Sequence, residues 1–223
     1  MRTTRAAILR EMGAPAPYAT SKPLEIREVA LAPPGAGEVT VRIKAAGLCH
    51  SDLSVINGSR PRVMPMVLGH EAAGEVVEVG ADAGLLQVGD HVVFSFVLVC
   101  GECPACAEGR PAMCAPGAVA NTGGSLLSGA KPFHDQAGEL NHHLGVSAFA
   151  DYTTVSAKSC VVIDPELDFN IAALFGCAVM TGVGAVVNTA KVAPGTSCAV
   201  YGLGGVGLAA LIGARASGAN PLV

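Results

Sequence analysis

The first 95 residues read mainly as strands, several of them with apolar residues at every second position, the period of a half-buried strand. Thr4 to Leu9 and Leu24 to Leu31 read as two such strands. Val39-Thr40-Val41-Arg42-Ile43-Lys44 alternates cleanly, which places Val39, Val41 and Ile43 on one face. Between them Pro33-Pro34-Gly35-Ala36-Gly37 is turn chemistry. His50 to Ile56 is a short helix stopped by Asn57-Gly58. Ala73 to Val79 and His91 to Phe96 are two further strands, split at Val88-Gly89-Asp90. From Cys100 to Cys114 the pattern dissolves into a loop punctuated by Pro and Gly, and Ala115 to Gly145 is irregular as well. Strand pattern returns at Phe149 to Val155 and at Cys160 to Ile163.

Beyond Asp168 the period changes. Ile171-Ala172-Ala173-Leu174 and Ala178 to Lys191 read as helix with small residues for close packing, ended by Pro194-Gly195-Thr196. Ser197 to Tyr201 is a strand that feeds a helix from Gly204 to Ser217. The chain therefore reads as α/β with a β-rich part: a β-rich domain over residues 1–167 and an α/β domain over residues 168–223.

Composition narrows the class. Hydrophobic residues at 51% against charged residues at 14% exclude a disordered chain. A net charge of −4, without a clustered basic face, gives no reason to expect nucleic acid. The uncharged stretch Phe169 to Ala190 reaches the length of a membrane span. It carries Asn170, Thr181, Asn188 and Thr189, so a buried helix pair is expected and no membrane partner. The apolar run near the N-terminus, Ala6 to Leu9, is too short for a signal peptide, and the reading is cytoplasmic.

The chemistry lies in the cysteines and glycines. Cys100, Cys103, Cys106 and Cys114 offer four thiolates in one short segment, the number that closes a tetrahedral zinc and can hold a loop lacking its own core. Redox disulfides and an iron–sulfur cluster are the competing readings of this spacing. Cys49, His70 and Cys177 form a separate set of three soft ligands, the number of a catalytic zinc that keeps one position open. Asp52 is placed to accept from the other ring nitrogen of His70, and Ser51 to relay a proton. Gly202-Leu203-Gly204-Gly205-Val206-Gly207 is a Gly-x-Gly-x-x-Gly turn between an apolar strand and a small-residue helix, the setting of a dinucleotide site. Cys160 and Cys198 read as buried and inert, and His134, His142 and His143 as solvated loop histidines.

Gly47-Leu48-Cys49-His50-Ser51-Asp52, Gly69-His70-Glu71-Ala72-Ala73-Gly74, the four-Cys loop, Gly176-Cys177-Ala178 with Thr181-Gly182, and the glycine turn together resemble the zinc-containing alcohol dehydrogenases of the medium-chain dehydrogenase/reductase superfamily. The resemblance implies a GroES-like catalytic domain followed by an incomplete Rossmann domain. It implies two zinc ions per chain, NAD, a small alcohol or aldehyde substrate, and a homo-oligomer in the full-length form. By position, Cys49, His70 and Cys177 would hold the catalytic zinc and the four clustered cysteines the structural one. Glu71 would be the carboxylate beside the catalytic metal, His50 would sit near the cofactor pyrophosphate with Gly202, Gly204, Gly205, Val206 and Gly207, and Thr181 beside the nicotinamide. Such enzymes often end a proton relay at a His where this chain has Ser54. They also continue well past Val223, so a fragment or truncated product is expected. Alternatives are a non-catalytic zinc-binding GroES-like module and a dehydrogenase of polyols or of formaldehyde adducts.

Overall fold

The N-terminal alternation builds two β structures in the computed structural model, which describes residues 1–223. Strands β1 (Arg2–Leu9), β2 (Leu24–Leu31), β4 (Met66–Val67), β7 (Phe133–Asp135) and β8 (Gly138–His142) close a small barrel in the order β1-β2-β7-β8-β4. Strands β3 (Glu38–Ala46), β5 (Ala72–Val79), β6 (His91–Phe94), β9 (Tyr152–Ser156) and β10 (Cys160–Val162) form a second sheet in the order β10-β6-β5-β3-β9. Every pairing is antiparallel except β4 with β8. The chain divides into two compact units, Met1–Ala173 and Leu174–Val223.

The expected faces explain the packing of the first unit. Val39 and Val41 of β3 are fully buried with Val76, Val92, Phe94 and Val155 in one apolar core. Ile8, Leu31, Val67, Phe133 and Leu140 fill the barrel. Thr40, on the opposite face of β3, is also buried, and its hydroxyl meets that of Thr154 at 3.1 Å. A central strand covered on both faces needs such a partner for each polar group it buries. Register shifts at Thr40/Val41 and Ile43/Ala45 bend β3 against β5.

Helix α1 (Tyr18–Ser21) is a single turn, and α2 (His50–Ile56) spans the range expected from the sequence. The region 100–145 is more ordered than its sequence suggests. It holds α3 (Pro104–Ala107), α4 (Ala115–Gly123) and the barrel strands β7 and β8. These last are short and pair with each other as a hairpin, and their outer partners lie far off in sequence, as in Leu31↔Phe133. Only a four-residue alternation, Glu139 to His142, announces them. Helix α5 (Phe169–Ala172) closes the first unit, with Ala172 and Ala173 packed on Ala73 of β5.

In the second unit, Phe175–Val179 and Ala185–Ala190 are π-type turns on either side of α6 (Met180–Gly184). Val179 N–H bonds Leu174 O five residues back, at 3.1 Å. Helix α7 (Gly205–Ala216) packs against α6 across glycines: a Cβ on Gly182 would lie 2.3 Å from Val206 O. The strand expected over Ser197 to Tyr201 is reduced to one parallel bridge, Cys198↔Leu222. Its hydrogen bonds run from Cys198 N–H to Pro221 O, from Val200 N–H to Val223 O and from Val223 N–H to Cys198 O. By length and composition alone, Phe169–Ala190 meets the test for a membrane-crossing helix, with a mean hydropathy of 1.9.

Candidate metal and nucleotide sites

The main cluster of the first unit is built where β3 and β4 end. Past Ala46 the chain turns through Gly47, whose N–H bonds Glu71 O at 2.7 Å, and Cys49 takes the N-cap position of α2 in an extended conformation. Asp52 lies in the first helical turn and, with Val55, points inward; both are buried. At the other edge β4 leads through Leu68 to Gly69, His70 and Glu71 before β5 begins. Gly69 has φ +93, and a Cβ there would lie 2.5 Å from Phe149 N. Only glycine fits, and its N–H donates to Asp52 Oδ1 at 3.0 Å.

His70 and Asp52 then face one another, with His70 Nδ1 3.0 Å from Asp52 Oδ2 and both side chains almost fully buried. Candidate ligand atoms of Cys49, His70 and Glu71 lie within 4.8 Å of one another. With Nδ1 committed to Asp52, the nitrogen of His70 left to meet a metal is Nε2, an arrangement that ligating histidines commonly adopt. The donor set, one thiolate and one imidazole braced by a carboxylate, suits zinc. Cys177 is buried in the second unit, within the π-type turn Phe175–Val179. Ser51 is half-buried and His50 exposed on the first turn of α2. Ser54, at the position of the usual relay histidine, gives its hydroxyl proton to His50 O at 2.9 Å and so completes its own helix turn.

Two histidines overturn the solvated-loop reading. His142 and His143 are both fully buried, because His142 ends the barrel strand β8 and His143 begins the turn folded in behind it. His142 Nε2 meets Thr154 O at 3.1 Å, and burial pushes its pKa down to about 3. Burial likewise takes His143 down to about 4, against the pull of Asp52, so both rings are neutral near pH 7. His143 Nε2 faces Asp52 Oδ1 at 3.4 Å, and its ring stands edge-on to that of His70, with centroids 5.7 Å apart. The third loop histidine, His134, is half-buried in β7.

The four-cysteine cluster is compact. The sulfurs of Cys100, Cys103, Cys106 and Cys114 all lie within 4.8 Å of one another. Backbone N–H groups are aimed at them: Cys100 N and Gly117 N donate to Cys114 Sγ, and Cys103 N to Cys100 Sγ, each at 3.3 Å. The amides of Glu102 and Cys103 lower the Cys100 thiol to about 6, while burial pushes Cys106 up to about 12. Amide donors favour thiolates, yet four thiolates this close repel one another unless a cation sits among them. That combination fits a metal better than it fits free thiols. Lys158 caps the loop through its contact with Cys100 O. Cys160 and Cys198 are half-buried, and desolvation lifts the Cys160 thiol to about 12. A cavity of about 720 Å³ in this unit opens beside Cys100, Leu127 and Lys158. None of Cys49, His70 and Asp52 lines it.

In the glycine turn of the second unit, Gly202, Gly204 and Gly207 stand in different surroundings. Gly202 has φ +94, which lets the chain reverse into the helix. Gly204, the N-cap of α7, has open space where a Cβ would stand, and the free N–H groups of the helix follow it. A Cβ on Gly207 would lie 1.8 Å from Gly202 O. This tight turn with an open middle leaves room for a phosphate group at the helix N-terminus. Thr181 is exposed on α6. Gly207→Ala is expected to cost about 2–3 kcal/mol through overpacking, read as a lower denaturation midpoint.

Residues 35–165 match the model of the alcohol dehydrogenase GroES-like domain. The S-(hydroxymethyl)glutathione dehydrogenase of Synechocystis sp. is 42% identical over 221 residues, covering 99% of this chain and 58% of that protein. Among solved structures, an alcohol dehydrogenase zinc-binding domain protein from Burkholderia ambifaria superposes with a TM-score of 0.89 at 37% identity, covering 99% of this chain and 58% of the other. The benzyl alcohol dehydrogenase of Acinetobacter calcoaceticus gives 0.88 at 33%, covering 100% and 58%. The chain thus spans 58% of the length of these relatives.

Proposed function

We propose that this chain, which belongs to the alcohol dehydrogenase GroES-like domain family, works as a zinc-dependent alcohol dehydrogenase that passes hydride to NAD. In this reading residues 1–167 form the catalytic domain and residues 168–223 begin the dinucleotide-binding one. Cys49 and His70, joined by Cys177 on the strength of its sequence motif, hold a catalytic zinc with Glu71 beside it. Cys100, Cys103, Cys106 and Cys114 hold a structural one. The observation that carries the reading is the buried Asp52–His70 contact at 3.0 Å with Cys49 in reach. That arrangement uses a buried carboxylate to fix which imidazole nitrogen faces the other candidate ligands.

When bound, the catalytic zinc supplies Lewis acidity toward an alcohol oxygen and NAD accepts the hydride. The chain's residues do the rest. Ser51 takes the alcohol proton from its place on the first turn of α2. Ser54, whose hydroxyl is tied to His50 O, does not extend that relay, so the proton passes from Ser51 to water. Gly202, Gly204, Gly205, Val206 and Gly207 take the pyrophosphate at the start of α7, with His50 near it and Thr181 beside the nicotinamide. Thiolate ligands agree with a cytoplasmic protein, where thiols stay reduced. A homo-oligomer belongs to the same reading.

The 42% identity to the Synechocystis protein favours formaldehyde adducts of glutathione as one substrate class to assay beside simple alcohols. The test is zinc content together with NADH absorbance on adding each alcohol to the purified protein and NAD. Two zinc equivalents with alcohol-dependent NADH formation support the reading. Two equivalents without turnover mark a non-catalytic zinc module, and no zinc at all sinks both.

A further inference from the structure

His143 has no part in the scheme above, yet the fold goes to some length to place it. Its backbone N–H bonds Ser147 Oγ at 2.7 Å, and that hydroxyl in turn bonds Val67 O at 2.7 Å, tying the turn after β8 to β4. Leu144 and Ser147 both sit at positive φ, 51° and 47°, conformations that non-glycine residues rarely adopt. Gly145, at φ +67, leaves space that Leu98 takes: a Cβ there would lie 2.3 Å from Leu98 Cδ2. The outcome of this turn is one fully buried imidazole whose Nε2 faces Asp52 Oδ1 at 3.4 Å.

Neither ring nitrogen makes a hydrogen bond of ordinary length, but Nε2 has a carboxylate oxygen 3.4 Å away and Nδ1 has none. A buried nitrogen of that kind is better left as a bare lone pair than as an N–H, which puts the proton on Nε2, toward Asp52. Asp52 is then held from three sides: by Gly69 N–H at 3.0 Å and His143 at Oδ1, and by His70 at Oδ2. Without His143, the carboxylate has one fixed donor at Oδ1 and can swing about it, and the His70 ring swings with it.

We propose that His143 is a positioning residue for His70: it braces the far oxygen of Asp52, so that the carboxylate holds His70 Nδ1 and leaves Nε2 aimed at the metal side, toward Cys49. The proposal rests on the zinc reading above and concerns affinity for the metal, not the chemistry of the alcohol.

The test is a zinc titration of the 223-residue protein against a competing chelator, with His143→Phe, His143→Gln and His143→Asn beside the unaltered chain. Phenylalanine keeps the ring and removes the donor. Glutamine places an amide nitrogen where Nε2 stands, whereas asparagine places it where Nδ1 stands. His143→Phe is expected to weaken one of two zinc equivalents by roughly 10- to 100-fold while the four-cysteine equivalent holds, and His143→Gln to recover most of the loss. Nitrogen-15 NMR of the His70 ring in the zinc-free protein should show a single tautomer in the unaltered chain and a mixture in His143→Phe, which lost packing alone would not produce. Unchanged affinity and tautomer in His143→Phe overturn the proposal and leave the zinc reading standing. A single zinc equivalent in the unaltered chain overturns the reading and the proposal with it. Should His143→Phe fail to fold, the Gln and Asn variants decide: equal zinc affinity in the two overturns the brace, and tighter binding in Gln upholds it.

Discussion

Cys103→Ala is expected to bind one zinc where the unaltered chain binds two, and to lower the thermal midpoint by about 10 °C or more. The size follows from what the loop lacks. Between Gly101 and Gly123 only Cys114 and Gly117 are buried, while Met113 and Val119 are 67% and 74% exposed. Helix α3 buries nothing and α4 buries only Gly117. An ordinary loop of this length either packs side chains or stays mobile; this one packs sulfur. Removing one of four thiolates leaves a site that no longer closes, and the backbone N–H groups of Cys100, residue 103 and Gly117 then point at the sulfurs of Cys100 and Cys114 without their cation. Loss of a structural metal belongs among the few single changes that cost about 4 kcal/mol or more, and each kcal/mol moves the midpoint of a chain this size by about 2–4 °C. Val119→Ser, on the same loop but exposed, should stay within about 0.5 kcal/mol of the parent. A strong chelator, which removes both ions, should bring the unaltered protein to the midpoint of Cys103→Ala or below it. If Cys103→Ala keeps both its zinc and its midpoint, the four cysteines are not a metal site.

The contrast between this loop and its neighbours shows what a sequence makes legible. Leu24–Leu31 and His50–Ile56 have the bounds expected of them, because alternation, an N-cap and an Asn-Gly stop are local signals. The four cysteines were legible too, since their spacing is itself the signal. Strands β7 and β8 were not. They are short, and although they pair with each other as a hairpin, their outer edges are held by β2 and β4, more than 70 residues away in sequence. Once that stretch read as loop, His142 and His143 read as solvated, and the error carried into the site. Glu139-Leu140-Asn141-His142 does alternate, and Gly138 precedes it as a turn residue, so a weak signal was present. The neighbourhood of Asp52 and His70 was readable because one residue opens a helix and the other follows a glycine that must approach closely. The third member of the group, His143, is placed by a turn that local pattern does not mark. In the second unit, Ser197 to Tyr201 has strand composition, but a strand is a property of its partners, and here Leu222 alone pairs with it.

Cys49→Ala and His70→Ala are each expected to remove the second zinc equivalent and lower alcohol-dependent NAD reduction by roughly a thousandfold or more, since a metal's stabilisation of developing charge is worth several kcal/mol and each 1.36 kcal/mol is tenfold in rate. Their effects on folding should differ. Cys49 is half-buried at the N-cap of α2, where its side chain makes no capping hydrogen bond, so alanine there removes a ligand and leaves the helix start intact. His70 is 1% exposed and faces a carboxylate that is itself 3% exposed. Its removal strands Asp52 in the interior with only Gly69 N–H at 3.0 Å and the long contact to His143. Breaking one partner out of a buried pair costs about 3–5 kcal/mol. His70→Ala should therefore unfold at a lower temperature than Cys49→Ala even in the presence of chelator, when neither variant holds metal. The two measurements separate the roles: zinc stoichiometry reports the ligand, and the midpoint of the metal-free proteins reports the buried pair. Full activity with both zinc ions in Cys49→Ala would sink the catalytic assignment. Equal metal-free midpoints for the two variants would mean that His70 contributes to the site as a ligand alone, with Asp52 stabilised by its other contacts.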